Sequence, residues 1–207
     1  MSTIVIGIAG GTASGKSTLA RALADELGDQ ANHLVHDRYY RAVAPEQAET
    51  HNWDHPDALD TALLIEHVDQ LCQGRATVVP SYDFSEHARL DTGTPLEPRP
   101  YLIVEGILVM SDPELRKRFD VSFFVEAPAD IRLIRRIRRD RIERGRSLES
   151  ILDQYEATVR PMHEQFVAPA RAHASQVIDG TASLSVSLQR VLRALHQRTH
   201  TPTSGLL

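Results

Sequence analysis

One eight-residue segment limits most sharply what this chain can become. Gly10-Gly-Thr-Ala-Ser-Gly-Lys-Ser17 fits the pattern G-x-x-x-x-G-K-[ST]. It stands directly behind residues 3–9, a short β-branched apolar run that reads as a buried strand. A helical pattern of Leu19, Ala22, Leu23 and Leu27 begins at once and stops at Gly28. Strand, glycine-rich turn and helix in that order make a phosphate-binding loop. Glycines let backbone N–H groups turn inward where a side chain would clash, and the helix N-terminus adds its dipole. Lys16 is expected to neutralise the β- and γ-phosphates of a nucleoside triphosphate, and the Ser17 hydroxyl to bind Mg²⁺. Gly10, Gly11, Thr12, Ala13, Ser14, Gly15, Lys16, Ser17 and Thr18 are the expected nucleotide contacts.

The rest of the chain alternates apolar runs with helical stripes. Residues 33–36, 101–104, 121–125 and 176–178 read as strands. Residues 57–72, 129–143, 148–167 and 184–195 read as helices, and 77–80 with 82–84 as strand-like pieces of a hairpin. Residues 95–100 form a proline-rich linker. This order predicts an α/β fold with an open, mostly parallel sheet flanked by helices. A length of 207 residues suits one core, so a single domain over 1–198 is expected, with a lid at about 136–150 and a flexible tail at 199–207.

Composition excludes more than it assigns. The net charge of −5 argues against a nucleic-acid binder. The single cysteine, Cys72, allows no internal disulfide, fits a reducing compartment and is expected as a small buried hydrophobe. The N-terminal apolar run has no basic flank and is far shorter than a membrane span, so a cytoplasmic protein with no membrane partner is expected.

Three features go beyond triphosphate binding. Asp37 closes the second strand, where side chains face the crevice outside the carboxyl ends of a parallel sheet. A carboxylate there can accept the proton of an attacking hydroxyl and share the metal, although a turn-forming aspartate reads the same way. Glu105 closes the strand 101–104 and can hold Mg²⁺ through water, or cap a helix. Residues 130–146 carry eight arginines: Arg132, Arg135, Arg136, Arg138, Arg139, Arg141, Arg144 and Arg146. Guanidinium forks suit phosphate oxygens, and Gly145 between Arg144 and Arg146 suits the hinge of a closing lid. The plain alternative is a solvated helix face.

With those residues in view, the chain closely resembles the uridine kinase (uridine–cytidine kinase) family from about residue 4 to 178. The resemblance runs through Gly7 to Ser17, Asp37-Arg-Tyr-Tyr-Arg41 and Asn52-Trp-Asp-His-Pro-Asp-Ala58. It continues in Pro80-Ser-Tyr-Asp-Phe-Ser-Glu-His87, Glu105-Gly-Ile-Leu108, Arg144-Gly-Arg146 and Gln154-Tyr155. It implies a kinase for the 5′-hydroxyl of uridine or cytidine, with ATP or GTP as donor and Mg²⁺ as cofactor. By similarity Asp37 is the general base near the metal, with Ser17 and Glu105 completing the Mg²⁺ shell. Asp54 looks like the ribose ligand, joined by Arg136, Arg139 and Gln154. Tyr82 and His87 resemble the pyrimidine readers, with Tyr40, Trp53 and Phe84 lining the pocket. Arg139, Arg144 and Arg146 resemble lid residues over the triphosphate. The family is typically tetrameric, so a homo-oligomer is implied. The chain departs from the family at Trp53, where a smaller aromatic is common, at the basic frame His36-Asp37-Arg38, and in the short segment 177–184, which leaves ATP against GTP open. A related kinase acting on another alcohol (nicotinamide riboside, phosphoribulose or pantothenate) and a nucleotide-binding regulatory module are the rival readings.

Overall fold

The structure, a computed structural model, describes residues 3–48, 51–83 and 88–199. In chain order its strands are β1 (Ile4–Gly10), β2 (Ala31–Val35), β3 (Thr77–Asp83), β4 (Ala88–Leu96), β5 (Tyr101–Glu105), β6 (Val121–Glu126) and β7 (Gln176–Asp179). The larger helices are α1 (Lys16–Leu27), α2 (Thr61–Cys72), α3 (Ala129–Glu143), α4 (Leu148–Gln154) and α5 (Leu184–Thr199). Five strands pair in the order β2-β5-β1-β6-β7, all parallel. The expected α/β architecture is present.

Both faces of the sheet are covered, which is why the central strands β1, β5 and β6 are mostly apolar rather than alternating with polar residues. Ile6 and Ile8 of β1, Ile103 of β5 and Phe123 of β6 pack with Leu19 and Leu23 of α1 and Val191 and Leu195 of α5. The other face carries Val5, Leu102, Val104 and Phe124, packed with Leu64 and Val68 of α2 and with Val167. Full burial of an Ile, Leu or Phe stabilises by about 1.5–3 kcal/mol relative to exposure, so these two layers hold the carboxyl edge of the sheet in place. Among the described residues no helix is long and apolar enough to cross a membrane.

Elsewhere the chain departs from the sequence expectation. The pieces 77–80 and 82–84 are not the two arms of a hairpin. As far as Asp83, the last residue described there, they run on as one strand, β3, irregular between Pro80 and Ser81, whose partner is β4. A proline has no N–H for a ladder, so the break falls there. β4 takes up Pro95 and Leu96 from the expected linker. Helix α2 starts at Thr61 rather than 57, because the Asp60 side chain accepts from Leu63 N and caps it, while Pro56–Ala58 form a separate 3₁₀ turn. The stretch 148–167 is helical but contains two π-helical segments, Tyr155–Val159 and His163–Val167. Pro161 and Pro169 lack the N–H that would meet the carbonyls of Ala157 and Gln165, and both freed carbonyls lie in those segments. Cys72, expected to be buried, is exposed at the end of α2.

Candidate active site

The glycine-rich loop leaves β1 at Gly10, whose φ of +152° and contacts exclude a side chain: a Cβ would lie 2.5 Å from Val125 O. Gly15 (φ +104°) turns the chain into α1, and no side chain caps that helix. Its first amides are therefore left for an anion. Lys16 is buried, with Nζ donating to Ser17 Oγ at 3.2 Å and standing 3.6 Å from Glu105 Oε2. Ser17 Oγ donates to the same Glu105 oxygen at 3.2 Å. Glu105 arrives by sheet register: β5 pairs Glu105 with Ile8, just before the loop. Among the described residues no three His, Cys, Asp or Glu side chains cluster to hold a metal by themselves. The Ser17–Glu105 pair offers two hard oxygen donors, which fits a Mg²⁺ ion that completes its shell with phosphate oxygens and water.

Asp37 lies on the 3₁₀ turn His36–Tyr39, next after β2. Among the described residues no hydrogen bond joins it to Ser17 or Glu105. Its charge acts instead on Tyr40 and Asp54. Burial first, then the carboxylates of Asp37 and Asp54, hold the Tyr40 phenol well above its usual pKa. Tyr40 packs edge-on against Trp53 (ring centroids 5.5 Å) and tilted against Tyr82 (5.6 Å), and its hydroxyl donates to Trp53 O at 3.1 Å. Tyr40, Trp53 and Tyr82 thus form one aromatic wall. Phe84 and His87, expected in the same pocket, lie outside the described residues.

The wall meets a polar group drawn from three elements. Thr158 Oγ1 donates to Asp54 Oδ2 at 2.9 Å. Burial pushes the Asp54 carboxyl up, against the Thr158 hydrogen bond and the Arg136 charge, which pull it down. Arg136 donates to Thr12 Oγ1 of the loop at 3.0 Å and to Gln154 Oε1 at 2.8 Å. Arg146 donates to the same Gln154 oxygen at 2.7 Å. Asp54, Arg136, Arg146, Gln154 and Thr12 therefore converge. Thr158 escaped the sequence reading, because only the π-helical turn brings it level with Asp54.

The arginines of α3 do not share one role, although Arg132, Arg136 and Arg139 have the spacing of a single face. Arg132 is buried away from that group, donating to Ala127 O at 3.0 Å and lying 3.2 Å from His163 Nε2. Arg135 donates to Gly180 O at 2.8 Å, beyond β7. Arg135, Arg139, Lys16, Thr18, Gly180 and Ala182 line a cavity of about 360 Å³ running from the loop toward α5. Arg139, Arg144, Arg146 and Arg136 all reach one buried carboxylate, Asp140. Asp140 was not among the residues singled out in the sequence, although its spacing of four from Arg136 and from Arg144 is a signal that could have found it.

Known proteins resemble this chain in sequence and in fold. The family model for the phosphoribulokinase / uridine kinase family matches residues 5–187. A uridine kinase from Chloroflexus aurantiacus is 46% identical over 193 residues, covering 91% of this chain and 92% of that protein. One from Halobacterium salinarum is 42% identical over 190 residues, covering 90% of this chain and 84% of its own. Among solved structures, phosphoribulokinase from Rhodobacter spheroides superposes with a TM-score of 0.66 at 16% identity, over 87% of this chain and 73% of that one, a likeness of fold. The loop, the sheet that carries it and the relatives agree: the chain belongs to the phosphoribulokinase / uridine kinase family.

Proposed function

We propose that this protein is a uridine or cytidine kinase, moving the γ-phosphate of ATP or GTP to the nucleoside 5′-hydroxyl, as in pyrimidine salvage. The observation that carries the reading is the meeting of Asp54, Arg136 and Gln154 beside the Tyr40–Trp53–Tyr82 wall, tied by Arg136 to Thr12 of the phosphate loop. Relatives named uridine kinase, 42–46% identical over nine-tenths of the chain, support the same acceptor.

The base of the nucleoside stacks on the aromatic wall while Asp54 accepts from the ribose hydroxyls and Gln154, whose Oε1 is taken by Arg136 and Arg146, offers its amide N–H. Asp37 accepts the proton of the 5′-hydroxyl as it attacks. Lys16 holds the β- and γ-phosphates, and Arg136, Arg139, Arg144 and Arg146 meet the charge that develops on the transferring group. Ser17 and Glu105 would hold Mg²⁺, which when bound neutralises triphosphate oxygens. The cavity beside Arg135 and Gly180 takes the rest of the donor. A mobile lid around 136–150 that excludes water belongs to this reading.

The test is ADP release with Mg-ATP, or GDP release with Mg-GTP, against uridine, cytidine, adenosine, nicotinamide riboside, pantothenate and ribulose 5-phosphate. Stimulation by uridine or cytidine alone is expected. Stimulation by neither pyrimidine nucleoside with either donor removes the acceptor assignment.

A further inference from the structure

Four arginines share one anion. Asp140 sits on α3 with no exposed surface. Arg139 Nε donates to its Oδ1 at 2.8 Å, and Arg144 Nη1 stands 3.6 Å from that oxygen. Arg136 Nε and Arg146 Nη1 face Oδ2 at 3.6 and 3.7 Å. Helix periodicity brings Arg136 within reach, one turn before Asp140. Arg146 is folded back by its own N–H, which donates to Asp140 O at 3.1 Å. Gly145, in the left-handed region at φ +61°, makes that reversal.

The charges do not balance locally. Burial favours the neutral carboxyl, but the Arg139 hydrogen bond and the charges of Arg139, Arg144 and Arg136 outweigh it and hold its pKa below the usual range. Neither Oδ2 nor Arg136 Nε completes a hydrogen bond. Asp140 at the centre of four guanidinium groups, with Asp54 as a second carboxylate facing Arg136 and Arg146, still leaves positive charge gathered at one point, and Arg136 already reaches Thr12 of the phosphate loop. A multiply charged phosphate is the anion that such forks fit.

We propose that Asp140 is a positioning residue, a resident anion that assembles Arg136, Arg139, Arg144 and Arg146 before the triphosphate arrives and competes with it for them. The proposal rests on the phosphoryl-transfer reading above. It separates two properties that normally move together. Rate depends on the arginines being aimed at the moving phosphoryl group, so it depends on the carboxylate. Ground-state grip depends on net charge, so the carboxylate weakens it.

Asp140→Asn keeps the shape and removes the charge. Two quantities are read: kcat with Mg-ATP and uridine, and the Kd of inorganic tripolyphosphate by calorimetry. We expect kcat to fall about tenfold or more while tripolyphosphate binds about threefold tighter. A side chain that merely supports the fold would weaken both together. Retained kcat, or a grip on tripolyphosphate that does not tighten, overturns the proposal. Should the single variant not fold under its added positive charge, Asp140→Asn/Arg144→Gln removes a cation with the anion. Its tripolyphosphate affinity is expected to exceed that of Arg144→Gln alone, and a lower affinity is the contrary result. If the wild-type protein ignores uridine, only the acceptor reading falls, because the tripolyphosphate comparison still decides the role of Asp140.

Discussion

At the scale of single residues, the site is a set of carboxylates with different partners. Glu105 is engaged by Lys16 and Ser17, Asp54 by Thr158, and Asp140 by arginines. Asp37 makes no hydrogen bond among the described residues, which leaves its oxygens open to an incoming hydroxyl. Replacing it by asparagine is therefore expected to leave folding intact and to lower kcat by about 10²–10⁴, the usual loss for a general base. The check is coupled ADP release at saturating uridine beside a thermal melt; near-wild-type turnover would take the base role from Asp37. Lys16, Ser17 and Glu105 were legible from sequence because motif and strand end are local facts. Asp140 and Thr158 were not, because their roles come from burial and from helix turns that proline distorts.

At the scale of elements, the turn His36–Tyr39 and the β3–β4 hairpin behave as one unit. Arg38 Nε donates to Pro80 O and its Nη2 to Thr94 Oγ1, both at 2.9 Å. Arg89 returns the link, donating to Tyr39 O and Tyr40 O. The hairpin that carries Tyr82 is thus tied to the turn that carries Asp37, so on the proposed roles a shift of one is felt by the other. Arg38→Ala removes two charge-assisted hydrogen bonds while Arg89 keeps the hairpin attached. A rise of about tenfold in KM for the nucleoside is expected, with little change in melting temperature. An unchanged KM would mean that the hairpin is held well enough without Arg38. The hairpin was half legible in sequence. β3 has apolar positions to betray it, whereas β4 is largely exposed and polar, so no period marks it.

At the scale of the whole molecule, stability and folding order follow from how the sheet is built. Burial holds His36 neutral with a pKa of about 4, although Asp37 and Asp112 pull it up. The unfolded chain takes up that proton near its ordinary value of 6.5 while the native state does not. Stability from this group is therefore complete above pH 6.5 and drains away as pH falls toward 4, at about 1.4 kcal/mol per pH unit where steepest. Denaturant midpoints across that window should fall in the wild type and fall less in His36→Gln; parallel curves would exonerate His36. The apolar central strands were the most legible part of the fold, because burial on both faces leaves a plain sequence signature, whereas the strand order β2-β5-β1-β6-β7 came only with the structure. The pairing pattern carries a consequence for synthesis. Among the described residues β1 pairs only with β5 and β6, and β2 only with β5. Until residues 101–105 have left the ribosome, no two strands of the sheet can join. At about 5–20 residues per second the first strand waits roughly 5–20 s for its neighbours. The phosphate loop is thus made before the strands that support it and becomes competent late, and the nascent chain must shelter Ile4–Gly10 in the meantime.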